Sequence, residues 1–240
     1  MEKSEILRLC DFMQLAEADN IDWMLAGSNH VFVVTMVHDG REVKSIYKPR
    51  NGEAPLWDFP DGTLYKREYA AFLISMEIGW YFIPPTIVRQ GPYGIGSMQY
   101  MVEIPKRTRN FGDITIATLE LKKIVVFDYL VNNADRKVSH LLKDKSDRIW
   151  IVDHGLTFNA VPKLRTVFWD FAGQKIPRQL IADVQILRDK LKQGGDLRDK
   201  LLRLLDKEEI EALDIRISQV IKDPEYPYPD SPWSVPYPWY

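Results

Sequence analysis

The spacing of apolar residues in the first half of the chain alternates between helical and extended patterns. From residue 3 to 17 apolar side chains recur every three or four positions, which predicts an N-terminal helix. The same periodicity over residues 63–79, with Thr63 as the N-cap and Gly79 at the C-terminal end, predicts a second helix. The predicted strands share β-branched or alternating apolar residues and span 31–37, 42–48, 81–89 and 96–104.

The second half of the chain is dominated by helical spacing. Apolar positions over 117–133 predict an amphipathic helix, and the pattern over 176–222 is helical with a break at 194–195. A short hairpin of residues 139–142 and 149–152 lies between them. The segment 224–240 is dense in Pro, Tyr and Trp, so we expect an extended chain there rather than a helix.

The order of the elements predicts an α+β fold with two lobes around a cleft, because strands precede helices along the chain. We expect a β-rich N-lobe at 1–104 and a mostly helical C-lobe at 105–223. Residues 224–240 then form a C-terminal tail.

Composition narrows the classes of function. The 240 residues carry a net charge of −2, without the basic excess of most nucleic-acid-binding proteins. Cys10 is the single cysteine, so no intrachain disulfide can form, as is usual in a reducing cytoplasm. The chain has no signal-peptide pattern and no apolar run long enough to span a bilayer. We therefore expect a cytoplasmic protein without a nucleic-acid partner or stable membrane association, and the oligomeric state stays open.

Two charged residues in the first half indicate a phosphate-binding arrangement. Lys48 ends the apolar strand at 42–48, and Glu68 lies on the helix that follows. Taken alone, the lysine could extend into solvent and the glutamate could belong to a solvated helix face. Together they match an arrangement in which a lysine contacts ATP phosphates and a glutamate holds that lysine in place.

Two aspartates in the second half extend the pattern. Asp135 follows the apolar helix at 117–133, and Asp153 opens an Asp-His-Gly segment directly after an apolar strand. Polar residues at such places also serve as helix caps and turns. A phosphoryl transferase, however, needs one carboxylate to hold a metal ion and a second group to orient the attacking hydroxyl.

Several stretches resemble one group of kinases. Residues 127–136 resemble the catalytic segment of type II phosphatidylinositol 4-kinases and HipA-type kinases, and residues 151–158 resemble their metal-binding Asp-x-Gly segment. The stretches at 47–49, 56–60 and 169–173 are similar to ones that recur in small bacterial phosphatidylinositol 3-/4-kinase-like proteins of unassigned substrate. The resemblance covers nearly all of the chain. It implies a protein-kinase-like (phosphatidylinositol 3-/4-kinase-like) fold that binds ATP with Mg²⁺ or Mn²⁺.

The resemblance also implies roles for individual residues. Asp135 would be the catalytic aspartate, assisted by Lys48 and Lys137, although Lys137 is explained equally well as a solvated loop lysine. Asp153 and His140 would hold the metal ion. The resemblance also implies a set of nucleotide-binding residues: Ser28, Asn29, Lys48, Glu68, Gln99, Tyr100, Met101, Val102 and Glu103. The last five of these would form a hinge beside adenine.

His140 departs from the pattern of the related kinases. These usually have an asparagine five positions after the catalytic aspartate, as the second metal ligand. A neutral imidazole binds divalent metals but suits Mg²⁺ less well than an oxygen ligand does. Three outcomes stay open: His140 binds the metal and favours Mn²⁺, Asp153 holds the metal alone, or the site binds nucleotide without turnover.

The sequence therefore predicts a kinase that transfers the γ-phosphoryl group of ATP to a hydroxyl. We expect a soluble acceptor, a protein serine or threonine or a small polyol, because no basic amphipathic segment suggests a lipid surface. Lys163 and Arg165 suit an acidic or phosphate-bearing acceptor or are an ordinary solvated pair, and His154 is expected to face the cleft without a role. The alternatives are a pseudokinase, an AMP transferase on the same fold, and an interaction protein whose tail docks a partner.

Overall fold

The computed structural model describes residues 1–24, 29–105, 118–192 and 195–237. The first part of the chain forms a five-stranded antiparallel sheet in the order β1-β2-β3-β5-β4. The strands are β1 Glu17–Met24, β2 Val31–His38, β3 Arg41–Pro49, β4 Thr86–Gly91 and β5 Gly94–Tyr100. β2 and β3 form the hairpin predicted from the sequence, with Phe32 opposite Tyr47.

β1 is a strand that the hydrophobic pattern did not predict. It forms one edge of the sheet, and six of its eight residues are exposed. A shift of register interrupts its pairing with β2 between Ala18 and Asn20. Pairing with β2 holds this strand in place with little burial of its own side chains, so the periodicity of apolar residues could not reveal it.

β4 and β5 differ from the predicted strands at their ends. β4 begins only at Thr86, because Pro84 and Pro85 have no N–H group to donate to a ladder. β5 begins before the predicted position, at Gly94, and ends at Tyr100. The paired ends, Thr86 opposite Gln99, therefore lie closer to the turn at 91–94 than predicted, and both strands extend further toward that turn.

The two faces of the sheet have different partners. Helix α1 (Lys3–Leu15) covers one face, where Met13 packs in a cluster that includes Met98 of β5. The opposite face carries Val31 and Lys48 and lines the cleft. The sheet therefore separates a packed apolar layer from the candidate site.

Helix α2 (Leu64–Glu77) is capped by Glu53, which lies in the loop that precedes the helix. Thr63 stands at the N-cap position, as predicted, but its hydroxyl donates to a carbonyl of the preceding loop and does not cap the helix. The carboxylate of Glu53 instead accepts the N–H groups of Leu64 at 3.0 Å and Tyr65 at 2.8 Å. The predicted cap is therefore wrong, because the side chain that satisfies these donors lies ten residues before Thr63.

The second part of the chain is mostly helical. Its elements are α3 Thr118–Leu130, β6 Leu141–Lys143, β7 Ile149–Ile151, α4 Arg178–Lys192, α5 Asp196–Leu202 and α6 Lys207–Lys222. β6 and β7 form the predicted hairpin, with Leu141 opposite Ile151. The main apolar core joins these helices with the buried side of α2, including Phe72 and Ile74. None of the helices in the described ranges is long and apolar enough to cross a membrane.

The proline-rich tail packs against the helical part of the chain. Tyr226 is buried, its N–H donates to the carbonyl of Gln174 at 3.0 Å, and its carbonyl accepts the N–H of Gly173 at 3.0 Å. The carbonyl of Ser234 accepts the N–H of Thr166 at 3.0 Å. From 224 to 237 the tail forms no helix, as predicted, but it is attached to the body of the protein at these points.

Candidate functional site

The sheet and the helical part face each other across a cleft of about 720 Å³. A cavity of this size is typical of sites for small molecules and nucleotides. Its walls come from the cleft-facing side of the sheet, from α2, and from the segment between α3 and the end of β7. Lys48, Glu68, Asp135, His140 and Asp153 all line it.

Lys48 connects the sheet, α2 and the Asp-His-Gly segment. Its ammonium contacts the carboxylate of Glu68 and lies 2.9 Å from the carboxylate of Asp153. Burial acts to lower the pKa of Lys48, but the two carboxylates outweigh this effect and raise it above the ordinary value. The same ammonium holds the pKa of Asp153 well below its usual range. Lys48 and Asp153 are therefore charged near neutral pH, and the ammonium lies between the carboxylates of Glu68 and Asp153.

The loop after α3 presents Asp135 to the cleft. The side-chain oxygen of Asn133 accepts the backbone N–H of Asp135 at 3.0 Å, and the N–H of Ala134 donates to the carbonyl of Leu156 at 2.9 Å. The ammonium of Lys137 lies 3.1 Å from the Asp135 carboxylate. Burial raises the pKa of Asp135, and Lys137 only partly offsets this. The carboxylate is therefore more basic than that of an ordinary aspartate.

Asp135, His140 and Asp153 form a cluster that could hold a metal ion. Each offers one ligand atom, and these atoms lie within 4.8 Å of one another. His140 is 9% exposed, and burial lowers its pKa to about 4, so the imidazole is neutral near pH 7. Its Nδ1 has no hydrogen-bond partner in the described part of the chain, while its Nε2 lies 3.4 Å from Asp153. Two carboxylates and a neutral imidazole are a donor set suited to a divalent cation.

The hinge segment, residues 99–103, lies along the wall of the cleft. Its lining residues are Gln99, Tyr100, Met101 and Val102. Glu103 is not among them, because its exposed side chain pairs with Lys145 at 2.5 Å, and Ile104 lines the cleft instead. No hydrogen bond between described residues uses the backbone N–H of Val102 or Glu103. The N–H of Val102, which lines the cleft, is therefore available to a ligand there.

The turn before β2 is described only in part. Ser28 lies outside the described residues, so its expected contact with phosphates stays a prediction. Asn29 lines the cleft, and its side-chain oxygen accepts the N–H of Ala54 at 2.7 Å. The N–H of His30 donates to the carbonyl of Gly52 at 2.8 Å. Both bonds tie the turn to the loop that follows β3.

Lys163 is less available to an acidic acceptor than its place in the sequence suggested. Its ammonium pairs with Asp58 at 3.0 Å, with both side chains 14% exposed, and it lies over the ring of Trp57. Trp57 itself is almost fully exposed. Arg165 forms no ion pair with any described residue, but its backbone N–H donates to the carbonyl of Asn133 at 2.9 Å. The segment after Asp-His-Gly is therefore tied to the loop that carries Asp135.

Sequence reasoning missed the buried polar residues beneath the site. His154 was expected to face the cleft, but it is fully buried and packs edge-to-face against Phe127 at 5.9 Å. Its Nε2 contacts the guanidinium of Arg136, which forms a buried ion pair with Asp128. Protein rather than solvent therefore surrounds His154, and this burial lowers the pKa of the ring well below the ordinary value. One sequence signal could have indicated a buried ion pair here, namely Asp128, a lone charge in the apolar stretch of α3.

A protein of Mycobacterium tuberculosis is similar to the chain over most of its length. Protein Rv2133c of strain ATCC 25618 / H37Rv is 35% identical over 248 residues, covering 89% of this chain and 88% of that protein. The chain belongs to the Rv2133c family. The name of this relative does not state an activity. A comparison with protein-family models gave no match.

Two solved structures identify the fold of this member of the Rv2133c family. The Golgi casein kinase, crystallised with Mn and ADP bound, matches with a TM-score of 0.54 and 14% identity, over 96% of this chain and 81% of that chain. The Helicobacter pylori proinflammatory kinase CtkA matches with a TM-score of 0.50 and 11% identity, over 87% of this chain and 93% of that chain. The predicted two-lobed, kinase-like fold is confirmed. The narrower resemblance to phosphatidylinositol 3-/4-kinases and HipA-type kinases stays a prediction.

Proposed function

We propose that this member of the Rv2133c family is an ATP-dependent kinase that transfers a phosphoryl group to the hydroxyl of a soluble acceptor. One observation carries the proposal. The ion-paired chain of Glu68, Lys48 and Asp153 meets the cluster completed by Asp135 and His140 in one cleft of a kinase-like fold. Phosphoryl transfer requires a held cation, a phosphate-binding lysine and a group that orients the acceptor, and this cleft has a candidate for each.

ATP would bind with its adenine beside the hinge segment and its phosphates toward Lys48. The apolar side chains of Val31 and Ile46 line the cleft and suit the faces of a flat base. The open N–H of Val102 would donate to the edge of the base. The ammonium of Lys48 would contact the phosphates, as lysines at the end of this strand do in kinase-like sites.

The residues of the cluster fit a divalent cation. Asp153 and His140 would hold the ion, and one oxygen of Asp135 would complete the cluster while its other oxygen faces the acceptor. When bound, the cation neutralises negative charge that develops on the phosphates. An imidazole ligand suits Mn²⁺ better than Mg²⁺, so we propose Mn²⁺ as the preferred ion and Mg²⁺ as the weaker alternative.

Asp135 would orient the acceptor hydroxyl and accept its proton. The raised pKa of this carboxyl makes it a stronger base than an ordinary aspartate. The acceptor oxygen bonds to the γ-phosphorus, the bond from that phosphorus to the β–γ bridging oxygen breaks, and ADP leaves. Lys137, beside Asp135, would stabilise negative charge on the transferred group.

The acceptor is proposed to be a protein serine or threonine or a small polyol. Because Asp58 neutralises Lys163, the segment after Asp-His-Gly offers less attraction to an anionic acceptor than two free cations would. The exposed ring of Trp57 adds apolar surface next to that pair. These features favour a neutral acceptor over a heavily phosphorylated one.

A pseudokinase is the second candidate, and His140 is the observation that favours it. With an imidazole in place of the usual amide, the site could bind Mn²⁺ and nucleotide and still lack turnover. An AMP transferase on the same fold would use the same cleft with the opposite orientation of ATP. The products of labelled ATP separate these candidates.

The test uses ATP labelled at the α- or γ-phosphate, Mn²⁺ or Mg²⁺, and a cell extract as the source of acceptors. We expect transfer of the γ-label only, and loss of transfer in Asp135→Ala and Asp153→Ala with unchanged circular dichroism. Asp214→Ala, which removes a half-exposed carboxylate on α6, is the matched control and keeps the activity. Transfer by Asp153→Ala at the wild-type rate contradicts the proposal. Binding of ADP and Mn²⁺ without transfer favours the pseudokinase, and transfer of the α-label favours the AMP transferase.

A further inference from the structure

Arg136 connects the two aspartates of the site from below. It directly follows Asp135 in the chain, and its side chain is fully buried. Its Nη1 donates to the carbonyl of Val152 at 3.0 Å, and its Nη2 lies 2.9 Å from Nε2 of His154. These two contacts reach the residues on either side of Asp153. Arg136, which follows Asp135, therefore holds the residues directly before and after Asp153.

Asp128 anchors this arrangement to α3. Its carboxylate accepts from Arg136 at two nitrogens, Nε at 2.8 Å and Nη2 at 3.0 Å, and its side chain is 1% exposed. The same carboxylate accepts the side-chain amide N–H of Asn133 at 2.8 Å. The oxygen of that amide accepts the backbone N–H of Asp135. A buried bidentate pair of this kind has fixed geometry, so it transmits the position of α3 to both loops.

The hydrogen-bond roles of His154 follow from its partner. A guanidinium group only donates, so Nε2 of His154 accepts, and the ring proton is on Nδ1. The rings of Phe127 and His154 pack edge-to-face, which restricts rotation of the imidazole. The backbone N–H of His154 donates to Glu68 at 2.9 Å, which adds a second fixed point next to Asp153.

Asp153 needs such support because its backbone is strained. Its φ of 62° lies in the left-handed region, which residues other than glycine rarely adopt. A conformation of this kind persists only when its surroundings determine it. The bonds made by Val152 and His154 on either side of Asp153 supply that determination.

We propose that Arg136 and His154 are positioning residues that set the spacing of the Asp135 and Asp153 carboxylates, and through it the affinity of the cluster for a divalent cation. The inference rests on the proposed function in one respect, namely that the cluster binds a cation. Neither residue is expected to touch the cation or the nucleotide, since both side chains lie beneath the site and are fully buried.

His154→Phe tests this inference because it keeps a ring against Phe127 and removes the acceptor for Arg136. We expect Mn²⁺, titrated in the presence of ADP and followed by its electron paramagnetic resonance, to bind about 10-fold or more weakly, as when partners of metal ligands are removed elsewhere. kcat falls while KM for ATP stays unchanged, because the hinge segment and Lys48 are not altered. His154→Gln, whose amide oxygen again accepts from Arg136, restores most of the Mn²⁺ affinity.

Tyr226→Phe is the matched control. It also removes one hydrogen bond of a buried aromatic residue, the one from the Tyr226 hydroxyl to the carbonyl of Lys122 at 3.2 Å. We expect its Mn²⁺ affinity to equal that of the wild type, so a general loss of stability is separated from a loss of positioning. Urea unfolding is measured for every variant.

Arg136→Lys provides the second variant if His154→Phe does not fold. It keeps a cation against Asp128 but cannot donate to Val152 and His154 together, so we expect the same loss of Mn²⁺ affinity. Wild-type Mn²⁺ affinity in a folded His154→Phe or Arg136→Lys protein overturns the inference and leaves the kinase proposal standing. Absence of Mn²⁺ binding in the wild-type protein overturns the proposed cation site itself.

Discussion

Replacing Arg67 by alanine removes the cation that joins α2 to the helical part of the chain. Arg67 is 1% exposed, its Nη1 donates to the carbonyl of Thr157 at 2.6 Å, and its Nη2 pairs with Glu209 at the start of α6. The guanidinium also lies 5.0 Å from the ring centroid of Phe59. The next residue along α2 is Glu68, which contacts Lys48, so this tie also fixes a residue of the candidate site.

The expected loss of stability is large because Glu209 stays buried. Its side chain is 9% exposed, and removal of one partner from a buried ion pair costs about 3–5 kcal/mol, since the other charge is left without compensation. For a domain of this size, a loss of this kind lowers the melting temperature by roughly 6–20 °C. A total stability of about 5–15 kcal/mol would tolerate the change, so the variant should still fold at low temperature.

The double variant Arg67→Met/Glu209→Gln isolates the effect of the stranded charge. Glutamine still accepts the backbone N–H of Asp206, as Glu209 does at 3.0 Å, so the cap of α6 is retained. The carbonyl of Thr157 and the hydroxyl of Thr63, which accepts from Nε of Arg67 at 3.3 Å, both lose a donor. Leaving the buried carbonyl without a donor costs about 1–3 kcal/mol. We therefore expect the double variant to be more stable than Arg67→Ala.

Urea unfolding followed by far-ultraviolet circular dichroism measures both variants. Lys200→Ala, which removes an exposed ion pair with Asp196, is the control and should lose at most about 0.5 kcal/mol. A loss below about 1 kcal/mol in Arg67→Ala, where a buried pair predicts several-fold more, would refute the reasoning. So would a double variant that is less stable than the single one.

Three further variants test separate features. His140→Asn places an oxygen ligand in the cluster, so the ratio of transfer rates with Mn²⁺ and Mg²⁺ should fall, and an unchanged ratio means that His140 is not a ligand. Glu53→Ala removes the acceptor of two N–H groups at the start of α2 and should lower the free energy of unfolding by about 1 kcal/mol in urea, whereas Glu53→Gln should lose less. Gly96→Ala would place a Cβ 2.4 Å from the carbonyl oxygen of Lys48, so both stability and affinity for ADP should fall; retention of both contradicts the close approach.

Much of the fold was predictable because burial and sequence pattern agree in its central elements. Several buried apolar residues mark the β2–β3 hairpin, α2, α3 and β7, so these elements are visible in the sequence as apolar segments. β1 was not predictable, because it buries almost nothing and exists through its pairing with β2. The cap of α2 was not predictable, because the fold of the intervening loop brings Glu53 to the start of the helix and no local sequence pattern shows it.

The candidate site was predictable only in its cleft-facing residues. Lys48, Glu68, Asp135 and Asp153 are recognised by residue type and order, and the structure brings them to one cleft. Their roles remain predictions until the variants are measured. The residues beneath them could not be found in this way, because the role of a side chain such as His154 depends on a buried partner that the local sequence does not name.

The exposed edge strand β1 has a consequence for association between molecules. No described strand pairs with its outer side, and such an edge is a template for strand addition by another chain. Acidic side chains along β1, among them Asp19 and Asp22, and the interrupted register at Ala18 oppose that addition through charge repulsion and irregular geometry. The edge therefore resists sheet-to-sheet polymerisation at high protein concentration, and apolar substitutions along it would remove that protection first.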